Sequence, residues 1–185
     1  MSWYEFLLFL HISAAAIWLG GGFIFQAYSV AVRTAGDPHE MATFAGRASR
    51  TGERVFAPAS MLVLLAGIGL MIEGSWDWGQ LWVIFALVVF AASFVSGLFH
   101  IAPLGKKIEA VGPETPEGQK LIREIFTTFR VELVFLYSAV FAMTVKPTFD
   151  DGWTVLLAAA VIVAATAVIV RGARSSAPPV AAPAD

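Results

Sequence analysis

The sequence predicts an all-α integral membrane protein whose helical bundle crosses the bilayer five times. Of its 185 residues, 58% are hydrophobic and only 14% are charged, and the mean hydropathy is +0.74. Several apolar runs approach the roughly 20 residues that a helix needs to cross a hydrocarbon layer about 30 Å thick. This composition excludes an ordinary water-soluble domain. The net charge of −2 argues against nucleic acid as a partner.

The five predicted spans are joined by short polar segments that carry their own helix signals. Asp37 and Pro38 supply an N-cap and a first-turn proline, and they open a short amphipathic helix that we expect to lie on the membrane surface. Pro103 disfavours a helical conformation at the residue before it, so the third span is expected to end there. The spans cover about residues 4–32, 55–72, 80–102, the later part of a helix from 115 to 146, and 153–170.

The chain divides into a five-span membrane domain, residues 1–174, and a flexible tail, residues 175–185. The tail is rich in alanine and proline and has too few large apolar side chains to form a core. Of the twelve basic residues in the chain, all but Lys146 fall on one side of the predicted topology. Because basic residues accumulate on the cytoplasmic side, the N-terminus is predicted outside and the C-terminus in the cytoplasm.

His11 is the first candidate for a functional site, because an ionisable group about 10 Å inside the membrane is costly and by default marks a site. Trp18 and Gly22 follow it at helical spacing, so we expect all three to face a common neighbour. Small residues at a similar depth in other spans would leave room for a flat cofactor. The alternative is a packed histidine that is hydrogen-bonded to the hydroxyl of Tyr137 or Ser138.

A metal bound to His11 needs a second ligand from the outer half of the membrane. Met143 and Met71 are expected near that level, and a thioether suits haem iron or Cu(I). Methionine is also a common filler of apolar cores. His100 is expected roughly 20 Å away along the membrane normal, so one haem bridging the two histidines is not expected.

A second polar group of residues is predicted at the cytoplasmic end of the bundle. Arg54 and Arg130 enter their spans at a similar depth, close to Glu132 and His100. The arginines could neutralise haem propionates or hold a quinone head group. Alternatively, they extend to lipid phosphates while Glu132 pairs with Arg54.

Several other kinds of chemistry have no support in the sequence. The chain has no cysteine, which excludes disulfides, thiolate metal sites and thiol nucleophiles. It also has no nucleophile triad, no paired carboxylates and no zinc-ligand spacing. The glycine run at residues 20–22 lies inside a membrane span rather than at a strand-to-helix turn, so it is not a nucleotide-binding loop.

The stretch FLHISAAAIWLGGGF, residues 9–23, resembles the first span of a bacterial family of predicted integral membrane proteins of unknown function, and the likeness extends through the fourth span. A histidine followed seven residues later by tryptophan and a glycine pair also resembles the opening of the copper-resistance D proteins and of bacterial membrane protoporphyrinogen oxidase. The resemblance implies a small helical bundle in the bacterial inner membrane, with His11 as a ligand for haem b or for copper.

The sequence therefore favours a multi-pass inner-membrane protein that binds haem b and acts in electron transfer or tetrapyrrole redox chemistry. His11 would be the axial ligand, and Trp18 would line the pocket. Two alternatives stay open: copper handling, and a non-catalytic accessory subunit in which His11 is only packed. Besides the lipid bilayer, we expect a quinone or a redox protein as partner, and either a homo-oligomer or a larger membrane complex.

Overall fold

The structure is a computed structural model that describes residues 1–175, without the side chains of residues 154–158 and 173–175. Apart from Ser175, which ends the last helix, the predicted tail lies outside the described residues. Within the described part, the chain is all-helical. The helices are α1 Trp3–Ala35, α2 Pro38–Glu73, α3 Leu81–Val111, α4 Pro116–Val145 and α5 Gly152–Ser175.

Four of these helices, α1 to α4, are long and apolar enough to cross a membrane. The start of α1 is fixed by a capping box, in which the Ser2 hydroxyl accepts from the Glu5 amide and the Glu5 carboxylate accepts from the Ser2 amide. The described apolar part of α5 is the shorter segment Ala159–Gly172. The fifth span and the orientation of the termini therefore stay predictions.

Helix α4 lies at the centre of the bundle and contacts the other four helices. Helices α1 and α2 form one antiparallel hairpin, packed together along the second half of α2. Helices α3 and α4 form the other hairpin. The two hairpins meet where α1 contacts α4, and α5 packs on the outside of α4.

Both α2 and α3 contain a π-helical turn at the same sequence pattern, which is a glycine, four further residues, an alanine and a proline. The turns are Gly52–Phe56 and Gly97–Ile101. In each, the amide of the following alanine donates to the glycine carbonyl five residues earlier. The next residue, Pro58 or Pro103, has no amide hydrogen, and its ring would clash with a carbonyl in a regular α-helix. The wider turn accommodates the proline, so the helix continues.

This continuity corrects two predictions made from the local sequence. The third helix does not end before Pro103 but runs on to residue 111, because the π-turn accommodates the proline ring. The amphipathic segment that begins at Pro38 is not a separate helix on the membrane surface. It is the first part of α2, and its apolar face packs against α1 and α4.

The start of α2 is tied to the loop between α3 and α4 by side chains from both segments. The Gln119 amide nitrogen donates to the carbonyls of Pro38 and Pro113, at 3.0 and 2.8 Å. His39 Nδ1 lies 2.7 Å from the Glu114 carboxylate. These contacts bring the two hairpins together at one end of the molecule.

The molecule has two chemically different ends. The tryptophan end is defined by Trp3, Trp76, Trp78, Trp82 and Trp153, and the arginine end by Arg33, Arg47, Arg50, Arg54, Arg123 and Arg130. Tryptophan side chains favour the boundary between membrane and water. Helix α1 is about 50 Å long and the hydrocarbon layer about 30 Å thick, so about a dozen residues of α1 extend beyond that layer at the arginine end.

The extension at the arginine end has a hydrophobic core of its own. Large side chains from all four spanning helices meet there, and Ile122 and Phe126 of α4 are 0% and 2% exposed. The ring centroids of Phe126 and Phe44 are 5.5 Å apart. The buried residues of this core are Val32, Met41, Phe44, Ile108, Ile122 and Phe126.

Candidate functional site

The ring of His11 is held against α2 by a hydrogen bond to the main chain. Its Nδ1 lies 2.8 Å from the carbonyl oxygen of Val63, and because a carbonyl only accepts, Nδ1 carries the hydrogen. Gly67 makes this approach possible, since a Cβ there would lie 3.1 Å from Cε1 and 3.3 Å from Nδ1 of the ring. The partner is a main-chain carbonyl, not the expected hydroxyl of Tyr137 or Ser138.

This hydrogen bond determines what the imidazole offers to a ligand. In the neutral ring, a hydrogen on Nδ1 leaves the lone pair on Nε2. Metal-binding histidines almost always donate their other ring N–H to a carbonyl, a carboxylate or water, which fixes the ring and its tautomer. His11 has this arrangement, and the ring is only partly exposed. This arrangement suits a metal-binding histidine, and it equally satisfies the polar group of a packed histidine.

The two candidate methionine ligands lie toward the same end of the bundle as His11, Met71 on α2 and Met143 on α4. Met71 is buried one helical turn beyond Gly67, the residue on which the ring packs. Met143 lies on α4, which passes α1 in the opposite direction, and Gly22 of α1 contacts Leu133 of α4. Because Met143 is ten residues beyond Leu133 and His11 is eleven before Gly22, the two lie at a similar depth.

Trp18 and Gly22 do not share a neighbour with His11. The Trp18 ring meets Phe90 of α3, with centroids 5.9 Å apart and planes at 74°, and Gly22 packs against Leu133 of α4. His11 contacts α2. The predicted common neighbour is therefore not found: the three residues follow one another along α1 at helical spacing, but the contacts described for them are with three different helices.

Arg54 and Arg130 lie far from His11. Arg54 is two residues before Phe56, whose ring packs on Gly21, and Arg130 is three residues before Leu133. Both arginines are therefore beyond this level of α1, toward the arginine end. His11 is about 16 Å away along the axis in the other direction, so these arginines do not form one site with it. A haem held by His11 would not place its propionates there.

The arginine end contains buried polar atoms without a hydrogen-bond partner in the described part of the chain: Gln26 Nε2, Arg130 Nη2 and Glu132 Oε1. The carboxyl group of Glu132 lies beside the hydroxyl of Ser96 in α3. No ion pair joins Glu132 to Arg54 within residues 1–175, so the predicted pairing is wrong. Glu132 on α4 lies beside Ser96 of α3, whereas Arg54 on α2 lines a groove shared with α1.

His100 lies in the π-turn of α3 and faces α4. Its Nε2 is 3.7 Å from a Glu124 carboxylate oxygen and 3.4 Å from the Thr128 hydroxyl.

Gln26 was not identified from the sequence as a candidate. Its signal was a polar side chain inside a long apolar helix, which is a general mark of an internal contact or site in membrane proteins.

Among the described side chains, no group of three or more His, Asp and Glu residues could hold a metal ion. A metal site in this part of the chain would therefore depend on His11 and a sulfur ligand, or on a cofactor that brings its own ligands. Haem b is such a cofactor, because the porphyrin supplies four nitrogens and the protein supplies axial ligands.

Residues 5–146 match the family described as "Predicted integral membrane protein (DUF2269)". The chain belongs to this family. The match covers α1 to α4 and confirms the predicted membership of a membrane protein family. No curated protein and no solved structure shows significant similarity to the chain. The resemblance to copper-resistance D proteins and to protoporphyrinogen oxidase stays a prediction.

Proposed function

We propose that this integral membrane protein binds haem b and acts in membrane electron transfer or tetrapyrrole redox chemistry, with His11 as an axial ligand. The supporting observation is the hydrogen bond from Nδ1 to the Val63 carbonyl at 2.8 Å. It keeps the lone pair on Nε2, the nitrogen that would bind iron. Haem b, when bound, supplies a one-electron iron couple.

Two residues of α2 position the ring in this proposal. The Val63 carbonyl accepts the Nδ1 hydrogen, which raises the basicity of the imidazole as a ligand. Gly67 leaves the space in which the ring lies. A substitution at Gly67 is therefore expected to change the ligand geometry without removing the ligand itself.

The second axial ligand in this proposal is a thioether from Met143 or Met71. Met143 has a similar depth to His11, and Met71 is buried close to the surface of α2 on which the ring packs. Methionine ligation raises the reduction potential of haem iron. Arg54 and Arg130 are too far from His11 to contact the propionates of a haem bound there.

An absorption spectrum of the detergent-purified protein, expressed with an ample haem supply, tests the proposal. The wild type is expected to show a Soret band that His11→Ala loses. His39→Ala and His100→Ala are matched controls, because they remove the other two histidines and are expected to keep the band. A wild type without the band, or an equal band in His11→Ala, would refute haem ligation by His11.

Copper handling is the second candidate, and the same donor set supports it. An imidazole and a thioether at a similar depth are suitable ligands for Cu(I). Metal analysis of the purified protein separates the two candidates, because copper that depends on His11 and Met143 would appear without a porphyrin absorption band. The absence of both metals in a well-folded preparation would instead favour the accessory-subunit alternative.

A further inference from the structure

A groove at the arginine end runs between the last part of α1 and the first part of α2. Its volume is about 800 Å³. The wall from α1 is apolar and includes Ile24 and Tyr28, whereas the wall from α2 carries Arg47, Arg50 and Arg54, with His39 and Glu40 nearer its start. The groove thus combines an apolar surface with a row of guanidinium groups.

The three arginines share one side of α2, and they outnumber Glu40, the carboxylate residue that lines the same groove. They follow one another at intervals of three and four residues, which is the spacing of neighbours on a helical surface. All three are exposed. Among the side chains that the structure describes, the ion pairs are those of His39 with Glu114 and His100 with Glu124, so neither involves a groove arginine.

The depth of the groove matches the boundary between hydrocarbon and lipid head groups. If the tryptophan end marks one boundary, the opposite boundary falls about 20 residues along α1 from Trp3, close to Ile24. Arg54 lies at this level because it is two residues before Phe56, which packs on Gly21. Arg47 lies about 10 Å further out along α2, just beyond a head-group layer about 5–7 Å thick, and its long side chain can reach back to the phosphates.

The apolar wall is exposed at the same depth. Ile24 is 68% exposed and Tyr28 is 58% exposed, although both lie where α1 leaves the hydrocarbon layer. An acyl chain would cover these side chains while a phosphate contacts the arginines. A free anion in water would use only one wall of the groove.

We propose that this groove binds an anionic phospholipid of the bilayer, with its phosphate on the arginines and an acyl chain along α1. The row from Arg47 to Arg54 is about 10 Å long, which is more than one phosphate spans. Cardiolipin has two phosphodiesters in one head group, so it offers the arginines more negative charge than phosphatidylglycerol and is expected to bind most tightly. Basic pockets between membrane helices are known to take such head groups. This inference does not depend on haem binding.

Native mass spectrometry of the full-length protein in detergent tests the proposal, with cardiolipin, phosphatidylglycerol or phosphatidylcholine added. We expect one tightly bound lipid, with affinity decreasing in that order. The variant with Arg47→Gln, Arg50→Gln and Arg54→Gln is expected to lose about tenfold or more in cardiolipin affinity. The control with Lys106→Gln, Lys107→Gln and Lys120→Gln removes equal charge outside the groove and is expected to change affinity less than about twofold.

A second variant separates the groove from general surface charge. Thr43 lines the groove and is exposed, so Thr43→Trp would fill the groove while keeping all three arginines. We expect it to weaken cardiolipin binding as well. The proposal is overturned if Thr43→Trp binds like the wild type, if both charge variants lose affinity equally, or if inorganic phosphate displaces the lipid at comparable concentration.

Discussion

At the arginine end, phenylalanine and isoleucine side chains fill the space between the helices, whereas between the membrane-spanning parts many buried residues are small. Phe126 and Ile122 are examples of the first kind. Ala14, Ala66 and Ala142 are examples of the second. Lipid tails are as apolar as the side chains, so burial gives little gain there and close contact of helices matters more. Beyond the hydrocarbon layer water is present, and burial of large apolar groups becomes the dominant stabilising term.

Helix α4 shows this difference along a single element. Phe126, near its start, is 2% exposed, and Phe135, nine residues later, is 36% exposed. The same residue type therefore contributes in two ways: as part of a core in the first position and as part of the lipid-facing surface in the second. The comparison predicts that the arginine end contributes most of the folding free energy that depends on large side chains.

The largest expected effect comes from Phe126→Ala. Removing this ring leaves a cavity beside Phe44 and Ile122 and should lower stability by about 3–5 kcal/mol. Phe135→Ala on the same helix should cost about 1 kcal/mol or less, because lipid or detergent already covers its ring. Thermal unfolding of both variants in the same detergent measures the difference. Equal losses would contradict the two-region description.

A smaller loss of stability is expected inside the membrane, where the space between the helices matters more than the volume of the buried side chains. Gly67→Ala places a Cβ 3.1 Å from the His11 ring, so the ring must move by a few tenths of an ångström, which should weaken its hydrogen bond to the Val63 carbonyl and cost about 1 kcal/mol. Gly20→Ala is the control, because a Cβ there meets nothing within 4 Å. Its helix propensity should leave stability unchanged or slightly raised. Unfolding temperatures that fall equally for both variants would show that the His11 contact is not involved.

The tryptophan end provides a third and weaker test. The Lys146 ammonium lies 3.8 Å from the centroid of the Trp76 ring and 5.2 Å from that of Trp82. Lys146→Gln removes this cation–π contact and should lower stability by about 0.5–1 kcal/mol. Lys146→Arg keeps a cation and should retain most of it. A glutamine variant as stable as the wild type would show that the lysine charge does not stabilise the packing of the tryptophan end.

The smallest expected effect is a pH dependence in the turn before α5. Two hydrogen bonds from Thr148 to the Asp151 carboxylate, at 2.8 and 2.9 Å, lower the pKa of Asp151 below its ordinary value. The stabilisation is therefore present above pH of about 4 and is lost as pH falls through the lower folded pKa.

Unfolding temperatures at pH 5 and pH 3 measure this contribution. Asp151→Asn should reduce the difference between the two values slightly, because the asparagine side chain does not titrate. Asp150→Asn removes a neighbouring carboxylate but leaves the Thr148 hydrogen bonds, so its difference should match that of the wild type. A larger change in Asp150→Asn would assign the pH dependence to charge rather than to the hydrogen bonds.

Features that depend on neighbouring residues could be predicted from the sequence. Asp37 caps α2 by accepting from the His39 amide at 2.8 Å, and Thr115 caps α4 by accepting from the Gly118 amide at 3.0 Å. The start of α2 was expected from Asp37 followed by Pro38, and Thr115 followed by Pro116 is the same signal at the start of α4. Such signals are reliable because the capping side chain and the amide it satisfies are only a few residues apart.

The same local reasoning failed at Pro103. A proline disfavours the regular helix locally, but the chain meets this with a π-turn because α3 has further apolar residues, among them Ile108, to bury against α4. The gain from that burial depends on residues from other helices, which no local signal contains. The partner of His11 was unpredictable for a similar reason, since every residue has a carbonyl and its accessibility depends on Gly67.

The sequence by itself determined that the chain is a helical membrane protein, because hydropathy, length of apolar runs and capping signals act along the chain. Only the tertiary structure decided that His11 lies on a main-chain carbonyl, that Arg54 and Arg130 are remote from it, and that a basic groove opens at the arginine end. These features arise where helices that are distant in sequence pack side by side. Which helices pair depends on how well the surfaces of both partners fit each other.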